Sequence, residues 1–418
     1  MYEYIIKGGK KLEGETYVSG SKNASLPILA ATILSGKTTK LYNVPNIEDV
    51  KTTIQILEYM GCKVKKEKNK IIINSKNIKR KKIPEDLMRK LRSSVVLVGA
   101  ILARFEEATF SYPGGCEIGA RPIDLHLSSF KKLGVKIEEN SGFIYCRCDR
   151  IKSSELHLDF PSVGATENII LASVFADGEI ILKNAAMEPE IVDLCNMLNK
   201  MGAKIKGAGT NEIRIIGVKN LNDVSYTIMP DRIEAGTLLV AAAVTGGKIK
   251  LNKVVPEHIT PILYKLEECG CKLEIGQKII TLQAPTRLKS TTIKTMPYPG
   301  FPTDMQAIFS TALMVAKGTS IIQENIFENR FKYVQELKRM GVKTQLQNNT
   351  LIITGIRKLQ GANVESTDLR GGAALVIAGL VAKGTTQVSK LEYLLRGYEN
   401  LDEKLITLGA NIKRKEGE

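Results

Sequence analysis

A short phrase recurs six times in this sequence. Each copy runs from an amphipathic segment through a glycine into an alternating apolar stretch, as in EYMGCKVKK and KRMGVKTQL. Repetition at a nearly constant period indicates a chain assembled from copies of one structural unit. The glycines that anchor the six copies lie 68 to 73 residues apart, at Gly61, Gly134, Gly202, Gly270, Gly341 and Gly409.

Each copy predicts the same order of helices and strands. An amphipathic helix ends at the glycine, which readily adopts the left-handed backbone of a helix C-terminus, and two strands joined by a polar turn follow. Before each amphipathic helix comes a second helix of small and apolar residues, such as AGTLLVAAAV, which leads into another strand. A helix that is apolar on every side is buried on every side. The unit is therefore helix–strand–helix–strand–strand.

Six such units are too many for one core, but three can close around their own buried helices. We predict one domain at residues 21–229 and a second that combines residues 1–20 with 230–418. The segment at 4–20 has no helix before it, so we expect it to be a strand that completes the last unit. Both ends of the chain then share a domain. A cleft between the two domains is the expected binding site.

Charge and composition narrow the class of ligand. The net charge is +16, but aromatic residues make up only 6% of the chain and tryptophan is absent, so platforms for stacking bases are few. A positive field that attracts small polyanions explains the charge without nucleic acid. The seven cysteines are typical of free thiols, and the three histidines lie away from the Cys-x-Cys pairs. We expect a cytoplasmic protein with no metal, no cofactor and no membrane contact.

The stretch YPGGCEIGARPIDLHL places a cysteine between glycine-rich turns. Cys116 follows Pro113-Gly114-Gly115, and Arg121 comes five residues later. A thiol in such a flexible basic loop is either accidental or a reactive group.

Basic and acidic residues also stand where the buried helices begin. Helix N-termini attract anions, so several together favour an anion site. Thr303 or Asp304, and also Asp368, have the alternative role of helix caps. Lys22, Arg92 and Arg370 add nothing as caps, which favours the anion site for the whole set.

The motifs GSKNA, PGGCEIGARPIDLHL, SVGATEN, NAAMEPEIVDL, FPTDMQA, ENIFENRF, TDLRGGAAL and RGYE follow one another across nearly the whole chain. In these motifs the sequence resembles the UDP-N-acetylglucosamine 1-carboxyvinyltransferases of the EPSP synthase superfamily. The resemblance implies an α/β fold, a two-domain inside-out α/β barrel of six βαβαββ repeats, three in each domain, with the buried helices inside. It also implies transfer of the enolpyruvyl group of phosphoenolpyruvate to the 3′-hydroxyl of UDP-N-acetylglucosamine, with release of phosphate. This is the first committed step of peptidoglycan synthesis.

The resemblance assigns roles to single residues. Cys116 would donate a proton, Asp304 would act as the base, and Lys22 and Arg396 complete the catalytic set. Phosphoenolpyruvate would contact Lys22, Asn23, Arg121, Arg370 and Arg396. UDP-N-acetylglucosamine would contact Asn23, Arg92, Arg121, Pro122, Ile123, Asp124, Leu125, Ser162, Val163, Gly164, Asp304 and Ile326. Phe160 stands where some members have a lysine, and Leu395 stands where some have an aspartate.

Three alternatives remain open from the sequence. The 3-phosphoshikimate 1-carboxyvinyltransferases share the sixfold architecture, but they lack the cysteine loop. A basic RNA-binding or RNA-end-processing protein of related repeats would also be positively charged. A nonenzymatic paralogue would bind the nucleotide sugar without turnover.

Overall fold

The computed structural model describes residues 2–79, 82–112 and 123–416 of the 418-residue chain. The described residues divide into two compact units. The split unit contains residues 2–19 and 230–416, and the continuous unit contains the described residues between 20 and 229. Within the described residues the chain passes from one unit to the other twice, after Ser19 and after Met229.

The described residues form fourteen α-helices and three short 3₁₀ helices. The α-helices are α1 (Lys22–Ala31), α2 (Glu48–Met60), α3 (Glu85–Lys90), α4 (Leu97–Phe105), α5 (Asp124–Lys132), α6 (Val163–Ser173), α7 (Pro189–Lys200), α8 (Arg232–Thr245), α9 (Thr260–Glu268), α10 (Gln306–Val315), α11 (Tyr333–Arg339), α12 (Leu369–Val381), α13 (Glu392–Leu395) and α14 (Leu401–Thr407). The 3₁₀ helices are Arg92–Val96, Pro256–Ile259 and Thr303–Met305.

The same residues form twenty-three strands. These are β1 (Tyr2–Lys7), β2 (Glu13–Tyr17), β3 (Thr38–Tyr42), β4 (Lys63–Glu67), β5 (Lys70–Asn74), β6 (Glu107–Ser111), β7 (Lys136–Asn140), β8 (Phe143–Arg147), β9 (Lys152–His157), β10 (Asp177–Lys183), β11 (Lys204–Lys206), β12 (Glu212–Ile216), β13 (Val224–Thr227), β14 (Lys248–Asn252), β15 (Lys272–Ile275), β16 (Ile279–Gln283), β17 (Thr292–Lys294), β18 (Thr319–Gln323), β19 (Lys343–Gln347), β20 (Thr350–Thr354), β21 (Asn363–Glu365), β22 (Thr385–Ser389) and β23 (Asn411–Glu416).

Each unit encloses three helices that are buried on all sides. In the continuous unit these are α1, α4 and α6, and in the split unit they are α8, α10 and α12. Alanine and glycine let them approach closely: a Cβ atom added to Gly99 of α4 would lie 2.3 Å from the carbonyl oxygen of Asn168 in α6. The apolar helices predicted from the sequence are therefore the centres of the two cores.

The sheets wrap the buried helices, one sheet for each repeat. Five have four strands, and within each a parallel edge strand is followed by three antiparallel neighbours, as in β17-β18-β20-β19. The sixth, β6-β8-β7, has three strands, and in place of a parallel edge strand it has a single bridge between Lys82 and Thr109. All six glycines that anchor the repeats have positive φ, from 85° to 111°, as predicted for the ends of the amphipathic helices.

The leading segment departs from the prediction of one strand. It forms two strands in different sheets, because the chain turns at Gly8 and Gly9: Gly8 lies against the backbone of Ala382, and Gly9 has a φ of 95°. β1 pairs antiparallel with both β22 and β23 and so completes the sheet of the last repeat. β2 instead pairs in parallel with β14, in the sheet of the fourth repeat.

No helix in the described part of the chain is long and apolar enough to cross a bilayer.

Asp193 in α7 gives a prediction about pH. Only 8% of this residue is exposed, and its carboxylate accepts hydrogen bonds from the Tyr226 hydroxyl (2.7 Å) and the Met229 N–H (3.2 Å). Burial outweighs these bonds and raises the pKa of Asp193 to about 6. The folded state then binds more protons than the unfolded state between about pH 4 and pH 6, so stability falls as pH rises through this range.

Asp193→Asn should remove that slope, since the amide resembles the protonated acid. Urea unfolding from pH 4 to pH 7 would measure it. The stability of the variant relative to the parent protein should rise with pH by about 2–3 kcal/mol. Parallel curves for the two proteins would contradict the role given to Asp193.

Candidate active site

The carboxylate of Asp304 lies between two buried arginines of the split unit. Nη2 of Arg330 is 2.8 Å from Oδ1, and Nη2 of Arg370 is 2.9 Å from Oδ2. The arginine side chains are 4% and 3% exposed, whereas that of Asp304 is 27% exposed. Charge-assisted hydrogen bonds between desolvated partners hold all three groups firmly. The exposed edge of this cluster is the carboxylate.

The ends of two buried helices position this cluster. Asp304 lies in the 3₁₀ helix that precedes α10, and no side chain in the described residues caps that short helix. Arg370 is the second residue of α12, whose N-cap is Asp368: one carboxylate oxygen accepts the N–H groups of Arg370 (2.9 Å) and Gly371 (3.0 Å). Of the two acids that the sequence left open as caps, Asp368 is therefore a cap and Asp304 binds the arginines.

Arg370 retains unused hydrogen-bonding capacity. Its guanidinium lies over the ring of Tyr398, 5.2 Å from the centroid, and the Tyr398 hydroxyl hydrogen-bonds with Thr237 (2.9 Å). Burial opposes the charged form of Arg370, but Asp304, Tyr398 and Asp231 together outweigh it, so the pKa of the guanidinium is raised. Nε and Nη1 are buried and make no hydrogen bond with any residue that the structure describes. A buried cation with unused donors can bind an oxyanion.

Two further predicted residues lie in the split unit. Ile326 is in the loop between β18 and α11, where its N–H donates to Glu324 (2.9 Å). Because the N–H already has this partner, the carbonyl is the backbone group of Ile326 suited to a ligand. Arg396 follows α13 as its C-cap and is half-buried, two residues before Tyr398.

In the continuous unit, Lys22 is the first residue of α1. Its Nζ lies 3.0 Å from Oδ2 of Asp49, a buried residue of α2, so the ammonium is held by an ion pair. Ser21 caps the helix by accepting the N–H of Ala24. Asn23 follows Lys22 and is half-buried. Arg92 begins the 3₁₀ helix before α4 and is also half-buried.

The structure brings together the starts of α5 and α6. Gly164 lies against His126 of α5, because an added Cβ would be 3.1 Å from Cε1 of the imidazole. Ser162 caps α6, Val163 is the first residue of that helix, and Asp124 begins α5, with Ile123 before it and Leu125 after it. The residues predicted to contact the nucleotide sugar in these two segments are therefore neighbours.

A buried amide fixes this arrangement from behind. The side chain of Asn168 accepts the N–H of Gly99 (2.8 Å) and donates to the carbonyl of Val95 (2.9 Å), which sets its orientation. The same Nδ2 lies 2.7 Å from Nδ1 of His126 and donates to it. Nδ1 is thus an acceptor, so the neutral imidazole carries its proton on Nε2.

Cys116, Arg121 and Pro122 lie outside the described residues. The other six cysteines all have raised pKa values, because burial disfavours their thiolates. The pKa of Cys148, the least buried of them, is raised to about 11. The described residues contain no cluster of three or more His, Cys, Asp or Glu side chains suited to a metal ion.

Sequence reasoning missed three residues of the cluster. Arg330 lies in the motif ENIFENRF and Tyr398 in RGYE, so both motifs were recognised without assigning these side chains. Glu324 begins the first of these motifs. No local signal marked Arg330, because arginine is ordinarily exposed and its burial here depends on the pairing with Asp304.

Comparison with known proteins agrees with this architecture. The family model of EPSP synthase (3-phosphoshikimate 1-carboxyvinyltransferase) matches residues 6–405. The solved enolpyruvyl transferase NikO from Streptomyces tendae superposes with a TM-score of 0.89 at 23% identity, covering 99% of this chain and 98% of that one. An EPSP synthase from Acinetobacter baumannii gives 0.77 at 19% identity, with both chains fully covered. These likenesses confirm the predicted fold.

Sequence relatives are much closer. UDP-N-acetylglucosamine 1-carboxyvinyltransferase 2 of Caldanaerobacter subterraneus subsp. tengcongensis is 52% identical over 99% of this chain and 100% of its own length. The protein of the same name from Carboxydothermus hydrogenoformans is 48% identical over 99% of both chains. The chain therefore belongs to the EPSP synthase family and, within it, to the UDP-N-acetylglucosamine 1-carboxyvinyltransferases.

Proposed function

We propose that this protein transfers the enolpyruvyl group of phosphoenolpyruvate to the 3′-hydroxyl of UDP-N-acetylglucosamine and releases phosphate, as the first committed step of peptidoglycan synthesis. Full-length relatives of 46–52% identity that carry the name of this activity support the proposal. Both substrates are charged and do not cross membranes unaided, so the reaction is proposed to take place in the cytoplasm.

The observation that carries the proposal is the Asp304 cluster. The reaction needs a base for the sugar hydroxyl and cations for the carboxylate and phosphate of phosphoenolpyruvate. Asp304 supplies a carboxylate at the exposed edge of the cluster, and Arg330 and Arg370 supply two cations in contact with it. A guanidinium can hydrogen-bond a carboxylate through several of its N–H groups, and Nε and Nη1 of Arg370 are donors that no described residue uses.

Asp304 is a weak base while both arginines bind it, because nearby cations favour its charged form. We propose that the carboxylate of phosphoenolpyruvate takes over part of the bonding to Arg330 and Arg370. This exchange weakens their hold on Asp304 and raises its basicity once substrate is bound. The base would thus become active when the pair of substrates is in place.

The atoms then balance over two steps. The 3′-oxygen bonds to C2 of phosphoenolpyruvate and its proton passes to Asp304, while C3 receives a proton, which we assign to Cys116. The methyl group of the resulting ketal then returns a proton to the Cys116 thiolate, the bond between C2 and the phosphate oxygen breaks, the leaving phosphate takes the proton held by Asp304, and the enol ether forms. Lys22, Arg121 and Arg396 are proposed to bind the phosphate, and the ion pair with Asp49 orients Lys22.

The remaining assignments concern the nucleotide sugar. The predicted contacts form two sets. The first lies in the continuous part of the chain and consists of Asn23, Arg92, the segment from Arg121 to Leu125, and Ser162 to Gly164. The second lies in the split unit and consists of Asp304 and Ile326. We propose that the two sets act on one pair of substrates. Phe160 is 41% exposed where some relatives carry a lysine, so the chain is proposed to bind the diphosphate without that cation.

Phosphate release from phosphoenolpyruvate tests the proposal. We expect release with UDP-N-acetylglucosamine and none with shikimate 3-phosphate as the acceptor. Release with shikimate 3-phosphate alone would overturn the assignment, and so would binding of the nucleotide sugar with no turnover.

Selective labelling tests the role of Cys116. An electrophilic analogue of phosphoenolpyruvate, such as a small phosphonate epoxide, should alkylate Cys116 before any other cysteine, because only thiolates react readily. The six described cysteines have pKa values raised to about 11 or 12, which leaves almost no thiolate at pH 7. Peptide mapping after partial labelling would decide, and Cys148 or Cys195 labelled first would contradict the prediction.

A further inference from the structure

Glu324 is a buried carboxylate at a position where other repeats have a different residue type and backbone. It directly follows β18, and 2% of the residue is exposed. The residues that follow the equivalent strands β3, β10, β14 and β22 have positive φ values between 52° and 57° and are half-buried or exposed: Asn43, Asn184, Lys253 and Lys390. Glu324 has no positive φ. The repeat that carries Asp304 therefore departs from the common pattern at this residue.

The carboxylate of Glu324 joins three separate segments. Oε1 accepts the N–H groups of Ile326 (2.9 Å) and Phe327 (3.2 Å), which belong to the loop after β18. It also accepts the hydroxyl of Thr295, which follows β17 (2.9 Å). The hydroxyl of Thr303 lies 3.0 Å from both carboxylate oxygens. Thr303 begins the 3₁₀ helix that contains Asp304.

Neighbouring contacts strengthen the same connection. Thr295 accepts the N–H of Asn325 with its hydroxyl (2.9 Å) and the amide of Asn325 with its carbonyl (3.1 Å). Nη2 of Arg330 lies 3.4 Å from the carbonyl of Thr303, while the same atom binds Asp304. The loop at 325–330 is therefore tied to Thr295 at its start and to the turn that carries Asp304 at its end.

A carboxylate is suited to this place because it accepts hydrogen bonds and donates none. Burying it is costly unless donors surround it, and here backbone N–H groups and hydroxyls do so. The fold alone does not require the carboxylate, since four other repeats end the equivalent strand with a left-handed Asn or Lys.

We propose that Glu324 is a positioning residue for the transfer reaction. It fixes the Ile326 loop relative to Asp304, so that a nucleotide sugar bound at the loop presents its hydroxyl to the carboxylate at the correct distance. The proposal rests on the proposed function. Displacement of a reacting group by about 1 Å can cost on the order of 10²-fold in rate, so loss of this connection should affect turnover more than binding.

The experiment compares Glu324→Ala with Glu324→Gln and with a control for stability. The amide of glutamine keeps one acceptor oxygen for the loop N–H groups and offers a donor to the Thr303 oxygen. We expect Glu324→Ala to lower kcat/KM for UDP-N-acetylglucosamine by about 10²-fold, mostly through kcat, with less than a tenfold change in the dissociation constant of the sugar. Glu324→Gln should recover most of the activity, to within about tenfold of the parent protein.

Ile322→Ala in β18 is the matched control, because Ile322 is fully buried two residues before Glu324 and faces the core. It should lower the melting temperature while leaving kcat per folded enzyme unchanged. Thr303→Val provides an independent test, should the alanine variant not fold. It removes one hydroxyl from the carboxylate and should reduce kcat, while Thr303→Ser should restore it.

The outcomes separate the two proposals. A parent protein that releases no phosphate with UDP-N-acetylglucosamine overturns the proposed function. An active parent protein with Glu324→Ala and Thr303→Val at parental kcat/KM overturns only the role of Glu324. Losses of kcat in Ile322→Ala equal to those in Glu324→Ala would show that general destabilisation explains them, and would also overturn that role.

Discussion

Replacing Asp304 with asparagine should lower kcat by about 10²–10⁴-fold, the usual contribution of a general base. The amide keeps the size of the side chain and one acceptor oxygen, so it can still bind either Arg330 or Arg370. It cannot accept the proton of the sugar hydroxyl. We therefore expect the loss in kcat to exceed any change in the KM of either substrate.

The comparison with Asp304→Ala separates catalysis from charge balance. Alanine leaves two buried guanidinium groups without their carboxylate, and removing one partner of a buried pair costs about 3–5 kcal/mol. The alanine variant should therefore be both inactive and less stable, whereas the asparagine variant is inactive and closer to the parent protein in stability. Glu365→Gln serves as the control, since its ion pair with Lys390 is exposed. Near-normal turnover in Asp304→Asn would show that the carboxylate only orients the arginines.

Removing the ammonium of Lys404 should cost about 3–5 kcal/mol of stability. Lys404 pairs with Glu234, and their side chains are 6% and 3% exposed. Lys404 also donates to the Ser19 hydroxyl (2.7 Å), and the Ser19 N–H donates to Glu234 (2.7 Å). The ion pair therefore fixes Ser19, the residue after which the chain first leaves the split unit. Lys404→Met would leave the Glu234 carboxylate buried without its cation.

Two further variants serve as controls for the stability loss of Lys404→Met. Adding Glu234→Gln to Lys404→Met removes the unpaired charge and retains an acceptor for Ser19, so most of the lost stability should return. Lys390→Met breaks the exposed pair with Glu365 and should change stability by at most about 1 kcal/mol. Urea unfolding of the four proteins gives these differences. A cost below about 1 kcal/mol for Lys404→Met would mean that the buried pair adds little over a surface pair.

The repeat pattern predicted most of the fold because its physical causes are local. A glycine at the end of a helix and a helix that is apolar on all sides can both be recognised in a short stretch of sequence. The anchoring glycines and the buried helices lie where they were predicted. The leading segment was predicted wrongly as a single strand. Its division into β1 and β2 depends on contacts with residues more than 200 positions away, such as Gly8 with Ala382, which no local pattern contains.

Less of the candidate site than of the fold could be predicted from the sequence. Lys22, Asp304 and Arg370 were recognised because they begin helices, where anion binding and capping are expected. The choice between cap and ligand was not readable, since Asp304 and Asp368 occupy similar positions in their motifs. Only the structure places Asp368 on backbone N–H groups and Asp304 on arginines. The role of Glu324 depends on Thr295 and Thr303, which approach it only after the sheet has formed.

The pairing of β1 with β23 has a consequence for synthesis of the protein on the ribosome. Tyr2 is paired with Glu416, so β1 cannot pair with β23 until β23 has been synthesised. Residues 20–229, in contrast, contain every strand of their own three sheets. The continuous unit can therefore fold while the rest of the chain is being translated. During this time β1 remains without β22 and β23, and long-range strand pairing of this kind forms slowly. The same adjacency of the ends would allow them to be joined by a short linker and the chain to be reopened elsewhere.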